Sequence, residues 1–427
     1  MAKKVLIITY YWPPAGGPGV QRWLMFVKYL RDFDIEPIVY IPENPTYPII
    51  DETLAKEVPE GVRCYKNKIK EPYNLARLLS GRKTKKISSG IIANKRLSFI
   101  EKFMLWVRGN FFIPDARKNW VQPSISYLSE LLNKEDINTI ITTGPPHSLH
   151  LIGLGLKQQH GVYWVADFRD PWTSIGYHNK LRLTASSRKK HKELERSVLS
   201  SADQLIVTSP TTKKEFQGIT DVPIEVITNG YDGDYQGGAH LDDKFSIAHI
   251  GSLLSGRNPK NLWKVLSELT TENEAFRSLL QINFIGVVSK EVMDSLYHYE
   301  LAPYIKLKGY VSHAQALREQ RSSQLLLLVE IDAEVTKGIV PGKLFEYMAA
   351  KRPILAVGPE GWDAARIIND THTGSTFNYS AHLELKQLLT DWFKQFQKGE
   401  LKVADGNIEQ YSRRELTRKL SEFLLWE

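Results

Sequence analysis

The chain has 427 residues, 42% hydrophobic and 24% charged, with a formal net charge of +8 at pH 7. That length suits two cores better than one, and the composition is that of an ordinary globular protein rather than a disordered or fibrous one. No apolar run reaches the roughly 18 residues a membrane-spanning helix needs, and a single cysteine, Cys64, excludes an intrachain disulfide or a cysteine-clustered zinc site and fits a reducing compartment.

In chain order, Val5–Thr9 reads as an apolar strand rather than an export signal. The turn Tyr10-Tyr11-Trp12-Pro13-Pro14-Ala15-Gly16-Gly17-Pro18-Gly19 follows, then a helix over Val20–Leu30 with Trp23, Phe26, Val27 and Leu30 on one face. Pro37–Ile41, Ile137–Thr142 and Tyr163–Phe168 continue as strands, with a helix over Ser148–Gln159 between the last two, and Gln204–Thr208 and Ile224–Ile227 extend the alternation. Turn formers then cluster at Thr228-Asn229-Gly230-Tyr231-Asp232-Gly233-Asp234 and at Gly237-Gly238, which places a domain boundary there. The pattern restarts with a strand over Phe245–Ile250 and a helix from about Asn258 to Leu269, followed by strands at Ile282–Ile285, Ile305–Leu307, Leu325–Val329 and Pro353–Val357. A terminal helix over Tyr411–Glu427 carries an apolar face of Leu416, Leu420, Phe423 and Leu424 that requires a partner. Strands alternating with helices imply parallel sheets covered on both faces, here in two successive α/β halves.

Charge is unevenly spread. Between Lys66 and Lys118 there are 14 basic residues against Glu71, Glu101 and Asp115, a surplus of 11 that exceeds the net charge of the whole chain. Within this stretch Arg82, Lys83, Lys85, Lys86, Lys95 and Arg96 interleave with Ile91-Ile92, Phe99-Ile100, Phe103-Met104-Leu105-Trp106-Val107 and Phe111-Phe112-Ile113. Basic and aromatic residues so mixed suit an anionic lipid surface; a surface loop with a docked helix is the plainer alternative. No helix-turn-helix, zinc-finger or RNP-type motif supports nucleic acid.

In open parallel sheets ligands bind beyond the carboxyl ends of strands. The loops that matter are therefore Gly16–Gly19, Thr142–His147, Asp167–Trp172, Gly251–Lys260 and Gly338–Glu346. The last runs through Gly342-Lys343-Leu344-Phe345-Glu346-Tyr347 into an apolar strand. It reads either as a capped amphipathic helix with Leu344, Phe345 and Met348 in the core, or as a nucleotide site in which helix N–H groups meet a phosphate and Glu346 accepts bonds from a ribose diol. Gly16-Gly17-Pro18-Gly19 lacks the G-x-G-x-x-G spacing of a dinucleotide fold, and Asp34 sits in a charged turn, which disfavours a nicotinamide dehydrogenase. Asp232-Gly233-Asp234 has a metal-binding pattern but lies in a turn-rich linker, so no metal is expected.

Taken together, Ala15-Gly16-Gly17-Pro18-Gly19-Val20-Gln21-Arg22, Thr143-Gly144-Pro145-Pro146-His147-Ser148, Asp167-Phe168-Arg169-Asp170-Pro171-Trp172, Ile250-Gly251-Ser252 and Gly342–Tyr347 resemble, in order, the motifs of the family 4 glycosyltransferases. Ile227–Asp232 is similar to that family's passage into its second domain, and Gly309-Tyr310-Val311-Ser312 also fits, so the resemblance spans nearly the whole chain. It implies the GT-B architecture, an α/β fold of two Rossmann-like domains with parallel sheets facing a central cleft. The expected domains are 1–230 for the acceptor, 231–405 for the nucleotide sugar, and a helix over 406–427 packing back on the first.

The resemblance also implies site residues. Glu346 matches the second glutamate of the family's ribose-binding pair, while the first would fall at position 338, which is Gly338; Glu330, Asp332 and Glu334 lie upstream at other spacings. Gly251, Ser252, Gly342 and Lys343 line the expected donor site, and Arg257 and Lys260 are the candidates to neutralise the donor diphosphate, against a reading of both as solvated surface charge. In the first domain Gly16 and Gly17 admit donor phosphate or acceptor, or simply make a tight turn. Arg169 stands where relatives carry a histidine; Asp167 or Asp170 would take the acceptor proton or stabilise a sugar cation, or either would pair with Arg169 as a clamp. His147 is a further proton acceptor or a structural histidine. The expected activity is a nucleotide-sugar-dependent hexosyltransferase that retains anomeric configuration and builds cell-surface polysaccharide. It would use a UDP- or GDP-linked sugar as substrate, a glycan or lipid-linked acceptor and no separate cofactor, working in the cytoplasm or peripherally on the inner membrane face through 66–118. A nucleotide-sugar epimerase and a catalytically silent nucleotide-binding scaffold are the alternatives.

Overall fold

The computed structural model describes residues 2–71, 99–176, 178–233, 239–404 and 406–425. Arg82–Lys86, Lys95-Arg96, Ile91-Ile92, Asp234 and Gly237-Gly238 lie outside the described residues. Contacts divide the chain into two compact units, one of residues 1–232 with 413–427 and the other of residues 233–412.

The first unit contains a seven-stranded parallel sheet in the order β3-β2-β1-β4-β5-β6-β7. Its strands are β1 (Lys3–Ile8), β2 (Ile35–Pro42), β3 (Arg63–Asn67), β4 (Thr139–Gly144), β5 (Tyr163–Phe168), β6 (Gln204–Val207) and β7 (Ile224–Val226). Because side chains alternate across a strand, each central strand feeds two cores. Leu6 and Ile8 pack on one face with Ile38, Ile140 and Trp164, whereas Val5 and Ile7 pack on the other with Val39, Ile141 and Val165. The second face is closed by helix α1 (Pro18–Leu30) and by the last helix of the chain, Arg413–Leu425. Leu416, Leu420 and Leu424 of that helix are buried with Val20, Trp23, Leu24 and Val27 of α1. Each such leucine contributes about 1.5–3 kcal/mol by burial, which is what holds the far end of the chain on the first unit.

The second unit contains a six-stranded parallel sheet, β10-β9-β8-β11-β12-β13. Its strands are β8 (Phe245–Ile250), β9 (Leu280–Ile285), β10 (Ile305–Gly309), β11 (Leu325–Val329), β12 (Ile354–Val357) and β13 (Gly374–Phe377). Two strands escape the sequence pattern, β3 and β13, and both are sheet edges. β3 alternates half-buried with exposed residues and β13 is half-buried throughout, so neither needs the apolar run that betrays a central strand. The helix expected from Asn258 begins instead at Lys260, after Pro259. Asn258 serves the junction with its side chain, accepting from Trp263 Nε1 at 2.8 Å and donating to Ser295 Oγ at 2.8 Å.

Candidate functional sites

In the second sheet the strand order reverses between β8 and β11, the point where such sheets bind ligands. β8 ends in the buried pair His249 and Ile250 and turns at Gly251, whose φ of +109° favours glycine. Across the reversal, β11 runs into Glu330, only 2% exposed. Arg257 donates to both Glu330 oxygens, Nε at 3.0 Å and Nη2 at 3.1 Å, and the Ile331 N–H adds a third bond at 2.8 Å. Arg257, expected to face a diphosphate, is thus already paired with a buried carboxylate, and Lys260 is exposed at the start of its helix.

The cation left over is Lys343, first residue of the short helix Lys343–Ala349. Its ammonium lies 3.2 Å from the Ile250 carbonyl and 3.2 Å from His249 Nε2, with no carboxylate in ion-pair range among the described residues. Burial, then the charge of Arg257, push its pKa down to about 7, against the opposing pull of Glu330 and Glu346. His249 Nδ1 lies 2.9 Å from the Leu327 carbonyl, so that nitrogen carries the proton and Nε2 turns its lone pair to Lys343. Burial, and the neighbouring Lys343 charge, hold His249 well below the ordinary imidazole range, hence neutral. One turn on, Glu346 is half-buried and accepts from Gln320 Nε2 at 2.9 Å. Tyr347 of the same helix receives the Ile250 N–H on its hydroxyl at 2.9 Å.

The structure therefore gathers Gly251, Lys343 and Glu346 about the reversal together with His249, Gln320 and Tyr347, which the sequence reading passed over. His249 had a signal, a polar ring inside the run Phe245–Ile250, but nothing in one dimension shows that its ring meets Lys343.

In the first sheet the reversal falls between β1 and β4. Gly17 caps α1 with φ +102° and has nothing within 4 Å of where a Cβ would stand among the described residues, while Gly16 packs against Ile49 and Asp51. Arg169 Nη1 lies against the bare α-carbon of Gly19, and Nη2 donates to the Pro145 carbonyl. Asp167 is fully buried and saturated. It accepts from Arg22 Nη2 at 2.8 Å and Nε at 3.3 Å, from Trp23 Nε1 at 2.8 Å and from Thr143 Oγ1 at 2.8 Å. Burial alone would raise its pKa; the Arg22 charge and these bonds lower it instead. Arg22 also donates to the Thr228 carbonyl at 2.7 Å, so the clamp joins α1, β4, β5 and the end of the unit. The clamp partner of Asp167 is Arg22, not Arg169.

His147 is 4% exposed and stacks on Trp172 at 4.9 Å and 3°, and neither ring nitrogen has a hydrogen-bond partner among the described residues. Burial drives it well below the usual imidazole value, which fits packing rather than proton transfer. Asp170 differs: it is half-buried, and burial raises its pKa against the pull of Arg169. Of the four first-unit candidates it is the carboxylate best suited to take a proton. Asp232, of the metal-like pattern, is occupied by Lys28 Nζ at 2.6 Å and by the Tyr29 hydroxyl at 2.5 Å.

Two Rossmann-like parallel sheets, each with polar residues at its reversal, are the arrangement of the GT-B fold. Residues 91–235 match the family model described as Glycosyltransferase Family 4, a match over about a third of the chain. A search of curated proteins finds no match. Among solved structures, sucrose-phosphate synthase from Thermosynechococcus elongatus is similar over 99% of this chain and 98% of its own, at 11% identity and a TM-score of 0.59. HepE from Anabaena, in complex with UDP-glucose, is similar over 99% of each chain at 12% identity and a TM-score of 0.59. The lipopolysaccharide outer core galactosyltransferase WaaB is similar over 99% of each chain at 13% identity and a TM-score of 0.57. At such identities the likeness speaks for the fold.

Proposed function

We propose that the chain transfers a hexose from a nucleoside diphosphate donor, UDP- or GDP-linked, to a glycan or lipid-linked acceptor in the building of a cell-surface polysaccharide. The observation that carries this reading is Lys343, a half-buried cation with no carboxylate in ion-pair range among the described residues, at the reversal of the second sheet and one turn from a carboxylate steadied by Gln320. A diphosphate sugar needs those two features. As the glycosidic bond breaks, the leaving diphosphate gains negative charge, and a fixed ammonium in a water-poor site opposes that charge more strongly than water would. Glu346 accepts from the ribose hydroxyls. The backbone about Gly251, Ser252 and Gly342 contributes donors, and Lys260 adds a peripheral charge. The likeness of the fold to HepE, solved with UDP-glucose, supports the donor class.

We assign acceptor binding to the first unit. Asp170 is the carboxylate near the acceptor hydroxyl, Arg169 orients it, and Gly17 leaves the approach uncluttered, while Gly16 packs the turn against Ile49 and Asp51. Asp167 and His147 serve as framework. We read the reaction as retaining: the bond from the anomeric carbon to the nucleoside diphosphate breaks on the face where the acceptor oxygen bonds, and the departing diphosphate helps to take the acceptor proton.

Melting temperatures with UDP and GDP test the donor first, because a ligand that binds the folded state alone raises stability. Glu346→Ala should weaken donor binding by about 1–3 kcal/mol. Unchanged affinity in a folded variant would remove Glu346 from the site. Product analysis with and without acceptor glycans separates transfer from epimerisation.

We also infer contact with an anionic membrane. Helix α2 (Phe99–Phe111) exposes Phe103 and Phe111, 60% and 59% accessible, with Trp106 stacked against Phe103 at 6.0 Å, inside the basic stretch 66–118. Among the described residues no helix is long and apolar enough to cross a membrane. Replacing Phe103 and Phe111 with serine should lower binding to phosphatidylglycerol vesicles several-fold and leave donor affinity unchanged; equal vesicle binding would refute the membrane role.

A further inference from the structure

The donor reading leaves one buried group unused. His249 is the penultimate residue of β8 in the second sheet, 1% exposed, and burial keeps it neutral. Its two nitrogens are nonetheless committed in opposite senses. Nδ1–H donates a hydrogen bond to the Leu327 carbonyl of β11, 2.9 Å away, and Nε2 accepts one from the Lys343 ammonium at 3.2 Å. The Ile250 carbonyl takes a second N–H of the same ammonium at 3.2 Å.

Two acceptors fix a tetrahedral ammonium on its inner side and leave its remaining N–H outward. Lysine has a flexible four-carbon stem, and without such anchors its charge would sweep a wide volume. A neutral acceptor is the device that suits this place: a carboxylate in the position of His249 would cancel the charge, as Glu330 does for Arg257.

We propose that His249 is a positioning residue for the donor diphosphate: its Nε2 lone pair holds the Lys343 ammonium at the end of β8 without neutralising it, so that the charge meets the anionic phosphates. The inference rests on the donor reading above. The charged and titratable groups facing Lys343 are His249 on β8, Arg257 after it, Glu330 at the end of β11, and Glu346 and Tyr347 on its own helix. Glu330 is already satisfied by Arg257, so the phosphates become the principal new partner of the ammonium.

A pH signature follows. With its free pKa at about 7, Lys343 is only partly charged at neutrality, and the anionic ligand draws it fully to the ammonium. Binding therefore takes up a fraction of a proton near pH 7, and affinity falls as pH rises above about 7. UDP-glucose and GDP-glucose are the probes, since their diphosphate diesters do not titrate in this range. Calorimetry in buffers of different ionisation enthalpy counts the protons.

The expected result is net uptake in the wild-type protein and about tenfold weaker binding with a displaced pH profile in His249→Ala. His249→Gln, whose amide oxygen offers Lys343 an acceptor again, should recover much of both. Folded His249→Ala with wild-type affinity and pH profile overturns the proposal and leaves the donor reading standing. If that variant does not fold, Lys343→Met decides: lost uptake supports the role of the ammonium, and retained uptake overturns the proposal. Failure of the wild-type protein to bind either sugar nucleotide at any pH overturns the donor reading and this inference with it.

Discussion

At the carboxyl end of the first sheet, charge is buried with its complement: Asp167 takes three donor groups, and Arg22 spends its remaining reach on the Thr228 carbonyl. Around it stand four histidines, His147, His150, His178 and His191, all buried and all pushed below the ordinary imidazole range by that burial. At the corresponding end of the second sheet, Arg257 and Glu330 cancel, but Lys343 is held only by neutral acceptors. The contrast teaches what a buried charge is for. A saturated one fixes elements against each other; one held by neutral groups keeps its field for a ligand.

The largest expected effect tests the saturated side. Arg22→Met removes one partner of a buried pair and leaves Asp167 charged and unpaired, which should cost about 3–5 kcal/mol. Hydrogen exchange should show that loss in the first unit, with nucleotide-induced protection of the second retained. A loss below about 1 kcal/mol would mean that the clamp does not carry the stability ascribed to it.

Acid should separate the units next. A histidine whose folded pKa is depressed stays neutral in the fold but charges in the unfolded chain below about pH 6.5, so stability declines as pH falls through that value. Each contributes a slope of about 1.4 kcal/mol per pH unit until its folded pKa is reached, about 4 for His178 and about 3 for His150. Asp167, lowered in the fold, adds its own loss only below about pH 4, its ordinary range. Between pH 6 and 4.5 the first unit should lose exchange protection faster than the second, which buries one such histidine, His249, among its described residues. Equal decline in both would break the comparison.

The smallest effect sharpens the other side. Glu330→Gln frees Arg257 beside Lys343 and should tighten sugar-nucleotide binding by about 1 kcal/mol, measured by calorimetry, even as the folded state weakens. Weaker binding would show that Arg257 works only when aligned by Glu330.

How far the chain can be read without its fold differs from element to element. The central strands are evident because parallel strands buried on both faces must be continuously apolar, as Val5–Ile8 and Leu325–Val329 are. β3 and β13 were invisible for the converse reason, since an edge strand can be half-wet and carry almost any residue. Among the candidate site residues, Lys343 and Glu346 could be named from their place after a turn. Whether Arg257 was free could not, because its partner lies 73 positions away.

The sequence by itself determined the alternation of strands and helices, the two-part organisation, and which loops end at the mouths of sheets, because these follow from local periodicity and from turn residues that act on near neighbours. Tertiary structure alone decided which charges are cancelled and which remain available. Pairing Asp167 with Arg22, Glu330 with Arg257, and Lys343 with a neutral imidazole depends on strands distant in sequence lying side by side, and an electrostatic field depends on distance in space rather than along the chain.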